Sequence, residues 1–214
     1  MYSLINQHID QLLDVIDSER DIQPYSWLVQ NLNDTNVATD PEYQQVYRQY
    51  WRLNAARLSE GFRQSYFDLL EELKQEQITA DVEMVSRRLL EVPTHNDGRH
   101  ALQFSFASKL VHMLDRNLPV YDRMVEGFYF LPTGPANETT EEKIQRLVAS
   151  YNFLRTEYAR VLQHGILAHA IKRFRQKFRL GPEYTDRKAI DTLLWRFVAF
   201  LRNGAVRNGN VIYG

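Results

Sequence analysis

Along this chain of 214 residues, apolar positions recur every three or four residues, while Val and Ile are sparse and never alternate with polar neighbours over the length of a strand. Leu, Gln, Arg, Glu and Ala carry the pattern, residues that lose little side-chain freedom in a helix. The expectation is an all-α fold, a single globular helical domain over residues 1–214 with roughly eight helices. Leu4, Ile5, Ile9, Leu12, Leu13 and Ile16 predict a first helix from Ser3 to about Asp17, and a looser stretch to Asp40 holds a short helix around Trp27 to Leu32. Asp40-Pro41 has the form of an N-cap and first helical position, followed by the aromatic face Tyr43, Tyr47, Tyr50 and Trp51. Ser59 can cap a helix carrying Phe62, Tyr66, Leu69, Leu70 and Leu73, and Thr79 can cap another that ends before Pro93.

The second half reads similarly. Two prolines and a glycine in Leu131 to Asn137 mark the clearest loop, a candidate hinge to a minor lobe. Thr139 and Glu142 form a capping box for the longest helix, which is expected to continue, bent near Gly165, to Phe178. Gly181-Pro182 ends it, Thr185 can cap a last helix through Leu201, and Asn203-Gly204 is its stop. The tail 205–214 is expected to be weakly ordered, or docked by Ile212 and Tyr213.

Composition narrows the function. Hydrophobic residues at 44% and charged residues at 25% are ordinary globular usage. The complete lack of cysteine excludes disulfides, thiolate metal sites and cysteine nucleophiles. No apolar run approaches the roughly 20 residues that cross a bilayer, and the opening residues lack a signal peptide's basic and apolar regions. A cytoplasmic protein without a membrane partner is expected. Net charge is −1, but residues 1–100 hold 9 Lys and Arg against 17 Asp and Glu, a balance of −8, and residues 101–214 hold 17 against 10, a balance of +7. Such asymmetry either faces the basic half to a negatively charged partner or draws the two halves together.

Candidate chemistry concentrates between Phe104 and Val125. A helix beginning near Ser105 puts Lys109 beside the apolar Phe106, Leu110 and Met113, and partial burial would favour the neutral, nucleophilic amine. Asp122, 13 residues on, follows Leu-Pro-Val-Tyr and can cap the helix that starts at Arg123. Six helical residues lead about 9 Å away from Lys109, and seven extended ones can return as far as about 23 Å. The spacing thus allows the two to meet. It is equally compatible with Asp122 as a plain N-cap and Lys109 as a snorkelling helix residue.

Ser108-Lys109-Leu-Val followed by Pro119-Val-Tyr-Asp122-Arg-Met-Val resembles the helix-hairpin-helix DNA glycosylases, in particular their 8-oxoguanine branch. The resemblance implies a DNA partner, Lys109 as the nucleophile at a sugar anomeric carbon, and Asp122 as the acid that assists proton transfer. A flipped base and a Schiff-base intermediate that permits strand cleavage would follow. Where that family's hairpin has a Gly-x-Gly turn, this chain has Ser105-Phe106-Ala107. The same Ser-Lys…Pro-x-x-Asp wording, with a Lys-x-x-Asp-x-x-x-Trp helix like Lys188 to Trp195, is also similar to a small group of bacterial helical proteins of unknown role.

Lys172, Arg173, Arg175, Lys177 and Arg179, interleaved with Phe174 and Phe178, form the densest basic patch. It can neutralise phosphates of a nucleic acid, or it can be the solvated side of an amphipathic helix that buries both phenylalanines. The six histidines are scattered without the i,i+4 spacing of a helical ligand pair, and neither a phosphate-binding loop nor a nucleotide-fold glycine fingerprint occurs. No metal and no cofactor are expected.

Overall fold

The computed structural model describes residues 1–77, 81–202, 206–207 and 210–211. Among them the chain forms eleven α-helices: α1 Tyr2–Gln7, α2 Ile9–Asp14, α3 Gln23–Asn31, α4 Pro41–Tyr50, α5 Glu60–Glu76, α6 Val82–Leu90, α7 Phe104–Leu114, α8 Arg123–Tyr129, α9 Thr140–Gln163, α10 Ala168–Phe178 and α11 Asp186–Arg202. A π-turn at Ser18–Ile22 leads into α3, and a 3-10 turn at Leu53–Ala56 follows α4. The strands Val206–Arg207 and Asn210–Val211 make a minimal antiparallel ladder. The expected all-α class is what the chain adopts. No helix among the described residues is long and apolar enough to cross a membrane.

Side-chain caps set the starts of several helices. Asp40 accepts the Tyr43 amide (2.7 Å) and Ser59 accepts the Phe62 amide (3.0 Å). Thr139 and Glu142 close the reciprocal box in front of α9: Thr139 N–H donates to Glu142 Oε2 (2.8 Å) and Glu142 N–H to Thr139 Oγ1 (3.2 Å). Thr139→Ala is expected to cost about 1 kcal/mol, measured as a shift in urea unfolding.

Two expected helices are divided and one is capped elsewhere. The first breaks at His8, whose φ of −109° and ψ of 24° are not helical, so Ser3 to Asp17 becomes two short helices and a turn. The long helix does not bend through Gly165 but ends at Gln163, and α10 restarts at Ala168 after Gly165 takes a φ of +61° that suits glycine. Asp81 caps α6 by accepting the Glu83 (2.7 Å) and Met84 (3.1 Å) amides. Thr79, proposed for that role, the Asn203-Gly204 stop, Ile212 and Tyr213 lie outside the described residues, as does most of the tail.

α7 runs through the middle of the packing, with nine of its eleven residues buried, as an all-round apolar helix must be. α5 and α6 lie against one side of it, and α11 packs on α2, α8, α9 and α10. One hydrophobic core joins residues before and after the 131–137 loop, from Ile5 to Val198. Within it a chain of hydroxyls replaces lost water: Tyr47 and Tyr66 share a hydrogen bond (2.7 Å), and Tyr66 Oη donates to Phe106 O (3.0 Å) in α7.

Candidate functional site

The segment between α7 and α8 folds back because buried polar side chains leave it little alternative. Tyr121 N–H donates to Ser108 Oγ (2.9 Å), Tyr151 Oη donates to Pro119 O (3.0 Å), and His112 Nδ1 pairs with Leu118 O (2.6 Å). A carbonyl only accepts, so His112 carries its proton on Nδ1, and Tyr25 Oη donates to Nε2 (2.8 Å). Burial pulls the His112 pKa down to about 3, which keeps the ring neutral and this network intact. Ser108 precedes Lys109 and Tyr121 precedes Asp122, so the Ser108–Tyr121 clasp fixes amine and carboxylate relative to each other.

Both reach the same cleft, a cavity of about 610 Å³ whose walls come from the π-turn, α3, α4, α7, α11 and the loop before α8. Lys109, Lys188, Asp191 and Trp51 are buried and form its interior. Arg20, Arg52, Glu19 and Glu42 are exposed and stand at its mouth. Lys109 Nζ donates to Trp51 O (3.2 Å) and lies 4.9 Å from the Phe106 ring centroid. Burial pushes the Lys109 amine down to about 8; Asp122 and Asp191 work against that, and Lys188 and Arg52 reinforce it. Asp122 caps α8 as expected, Oδ1 accepting the Met124 (2.8 Å) and Val125 (3.0 Å) amides. Burial raises its pKa and the charge of Asp191 raises it further, while Lys109 and the two amides draw it back. The amine and carboxylate feel each other's charge but form no ion pair.

Beside them is a second charged pair that spacing did not single out as a site. Lys188 Nζ donates to Asp191 Oδ2 (2.8 Å), with both residues buried on α11. The ammonium lies 4.8 Å from the Trp51 ring centroid, 5.1 Å from Tyr25 and 5.5 Å from Tyr50. Burial alone would lower the Lys188 pKa, but Asp191, Tyr184 and Tyr25 outweigh it and the net direction is up. One turn on, the Trp195 ring stands within reach of two guanidinium groups, Arg52 at 4.8 Å and Arg196 at 5.0 Å. Arg52 takes a left-handed φ of 59°, and Arg57, Gln77, Phe130 and Arg179 are also left-handed at other helix or turn ends.

No protein-family model, curated protein or solved structure matches this chain. The cleft's chemistry therefore has to speak for its function.

No residue of the basic patch on α10 lines the cleft. Arg173 pairs with Asp10 (2.5 Å), Lys177 with Asp14 (2.5 Å) and Arg175 with Asp186 (2.6 Å), while Phe174 is buried. Lys172 and Arg179 are exposed and form no ion pair with any described residue. Two of the three pairs bind the basic second half of the chain to acids of the first, as does Arg196 with Asp21. Among the described residues no group of three or more His, Cys, Asp or Glu could hold a metal ion.

Proposed function

We propose that the cleft is an active site for lysine-dependent chemistry on a sugar carbon of damaged nucleic acid, as in a glycosylase with lyase activity. Neutral Lys109 Nζ attacks the anomeric carbon and forms a C–N bond, and the bond to the base breaks with its electron pair leaving on the base. Loss of a proton from nitrogen and opening of the sugar ring produce the Schiff base. Asp122 acts on that proton and stabilises the positive charge that develops at the sugar.

One observation carries this reading. A buried amine with a pKa of about 8 shares an open cleft with a carboxylate that does not neutralise it. At pH 7 about one such amine in ten is free to attack, against fewer than about one in a thousand ordinary lysines. The aromatic walls supply stacking surfaces for a base taken out of its helix.

Borohydride reduction in the presence of a duplex with an abasic site tests it. The parent protein should yield a covalent adduct, Lys109→Gln none, and Asp122→Asn, which retains the cap, should slow trapping about a hundredfold. No adduct with the parent removes the enzyme. The rival, a non-enzymatic helical interaction protein, is favoured by the pairing of Arg173, Arg175 and Lys177 with carboxylates of the same chain, which leaves that helix few free cations for phosphate.

A further inference from the structure

Two buried polar atoms on residues lining the cleft have no hydrogen-bond partner: Asp191 Oδ1 and Trp51 Nε1. The first is the more demanding. Asp191 is 6% exposed and its other oxygen is engaged by Lys188, so the ionised carboxylate has no donor for Oδ1. Leaving a buried polar atom unsatisfied costs about 1–3 kcal/mol, more for a charged group. Groups left in this condition in a well-packed interior call for a functional explanation. Lys188 Nζ donates to Asp191 Oδ2 and lies against three aromatic rings, which holds the ammonium beside the carboxylate. The last torsion of an aspartate is broad rather than confined to one staggered well, and Asp191 lines the cleft.

We propose that Asp191 is the recognition residue of this cleft, its Oδ1 accepting from an edge N–H of a planar nitrogen heterocycle while Trp51 Nε1 donates to a neighbouring carbonyl or ring nitrogen of the same ligand. A carboxylate is acceptor-only, so this position selects ligands with a donor and rejects phosphate or carboxylate groups. Planarity follows from the walls. Trp27, Trp51 and Trp195 all line the cleft and are the three tryptophans of the chain. A cavity of about 610 Å³ accommodates a ligand of nucleoside size. The inference shares the cleft with the function proposed above but does not depend on its covalent step.

Because every tryptophan lies at the site, intrinsic fluorescence reports on occupancy directly. Uridine and inosine each offer a single edge N–H, and 3-methyluridine and 1-methylinosine have it replaced by a methyl group. Titration of the parent protein should give saturable quenching with uridine or inosine, weakened at least tenfold by the corresponding N-methylation. Asp191→Asn should weaken it by a similar factor. The Lys188 ammonium requires the amide oxygen, so the NH₂ then faces the ligand and meets a donor with a donor.

No saturable response to either nucleoside, equal affinity for the methylated forms, or full affinity in a folded Asp191→Asn protein overturns the assignment. The ligand comparison uses the parent protein and stands even if the variant does not fold. Nucleoside binding with these preferences but no borohydride adduct would remove the Lys109 chemistry and leave the Asp191 site. An adduct without nucleoside binding would do the reverse.

Discussion

Lys109→Met is expected to be more stable than the parent at pH 7, by about 2 to 3 kcal/mol, and to lose that advantage as pH rises toward 10. In the folded protein burial holds the Lys109 pKa near 8, against 10.5 for the free side chain. Below pH 8 the amine is charged in both states, and the folded state bears the whole cost of burying that charge. Between pH 8 and 10 the unfolded chain holds one more proton than the native state. Stability of the parent should therefore climb by about 1.4 kcal/mol per pH unit across that window. The loss of the hydrogen bond to Trp51 O trims the gain of the methionine variant by about 1 kcal/mol.

Above pH 10 the sign reverses. Burial raises Tyr47, Tyr50 and Tyr184 well above their ordinary value, so the unfolded state releases their protons first and the fold loses stability. Urea unfolding of both proteins at pH 7, 8.5 and 10 measures the effect. A parent curve that is flat from pH 8 to 10 would mean the amine is not held neutral, and the attack proposed for it would lose its basis. A residue that destabilises its own fold needs a reason to be kept, and a nucleophile is one.

The helix-forming pattern and most caps were legible because they are local. Asp40, Ser59 and the Thr139–Glu142 box each act within three residues, and each performs the capping its sequence implied. The breaks at His8 and after Gln163 were not, since a continuous apolar face says nothing about where packing makes a helix turn a corner. For the site, sequence supplied Lys109 and Asp122 but not the means of their approach. That lies in Ser108, His112 and Tyr151, which reach carbonyls or amides 13, 6 and 32 residues away along the chain, respectively.

Lys188 and Asp191 were visible only as part of a Lys-x-x-Asp-x-x-x-Trp wording, without a role. Only the packing of Tyr25, Tyr50 and Trp51 around them makes the pair interior. The run from Lys172 to Arg179 shows the opposite case. Its charges looked available because Asp10 and Asp14 lie more than 150 residues away in sequence, yet they stand one helical turn apart on α2, opposite Arg173 and Lys177. Three pairs, Arg173–Asp10, Lys177–Asp14 and Arg196–Asp21, join bases of the second half to acids of the first.

Removing either partner of the buried Lys188–Asp191 pair should cost far more than removing both. Asp191→Leu leaves an ammonium among aromatic rings without its counter-ion, and Lys188→Met leaves a carboxylate with neither oxygen satisfied. Each is expected to lose about 3–5 kcal/mol of unfolding free energy. In the double variant both desolvation penalties disappear and two apolar side chains of similar size fill the space, so stability should return to within about 1 kcal/mol of the parent. Part of the Lys188 contribution survives as a ring contact only while the charge is present, so the single variants bracket the cation–π share. A double-mutant cycle in urea measures the coupling, and additive losses would show that the two charges do not depend on each other. Near-complete recovery would mean that the pair adds little net stability to the fold. Two charges retained in an interior that would hold equally well without them are then best explained by what they present to the cleft.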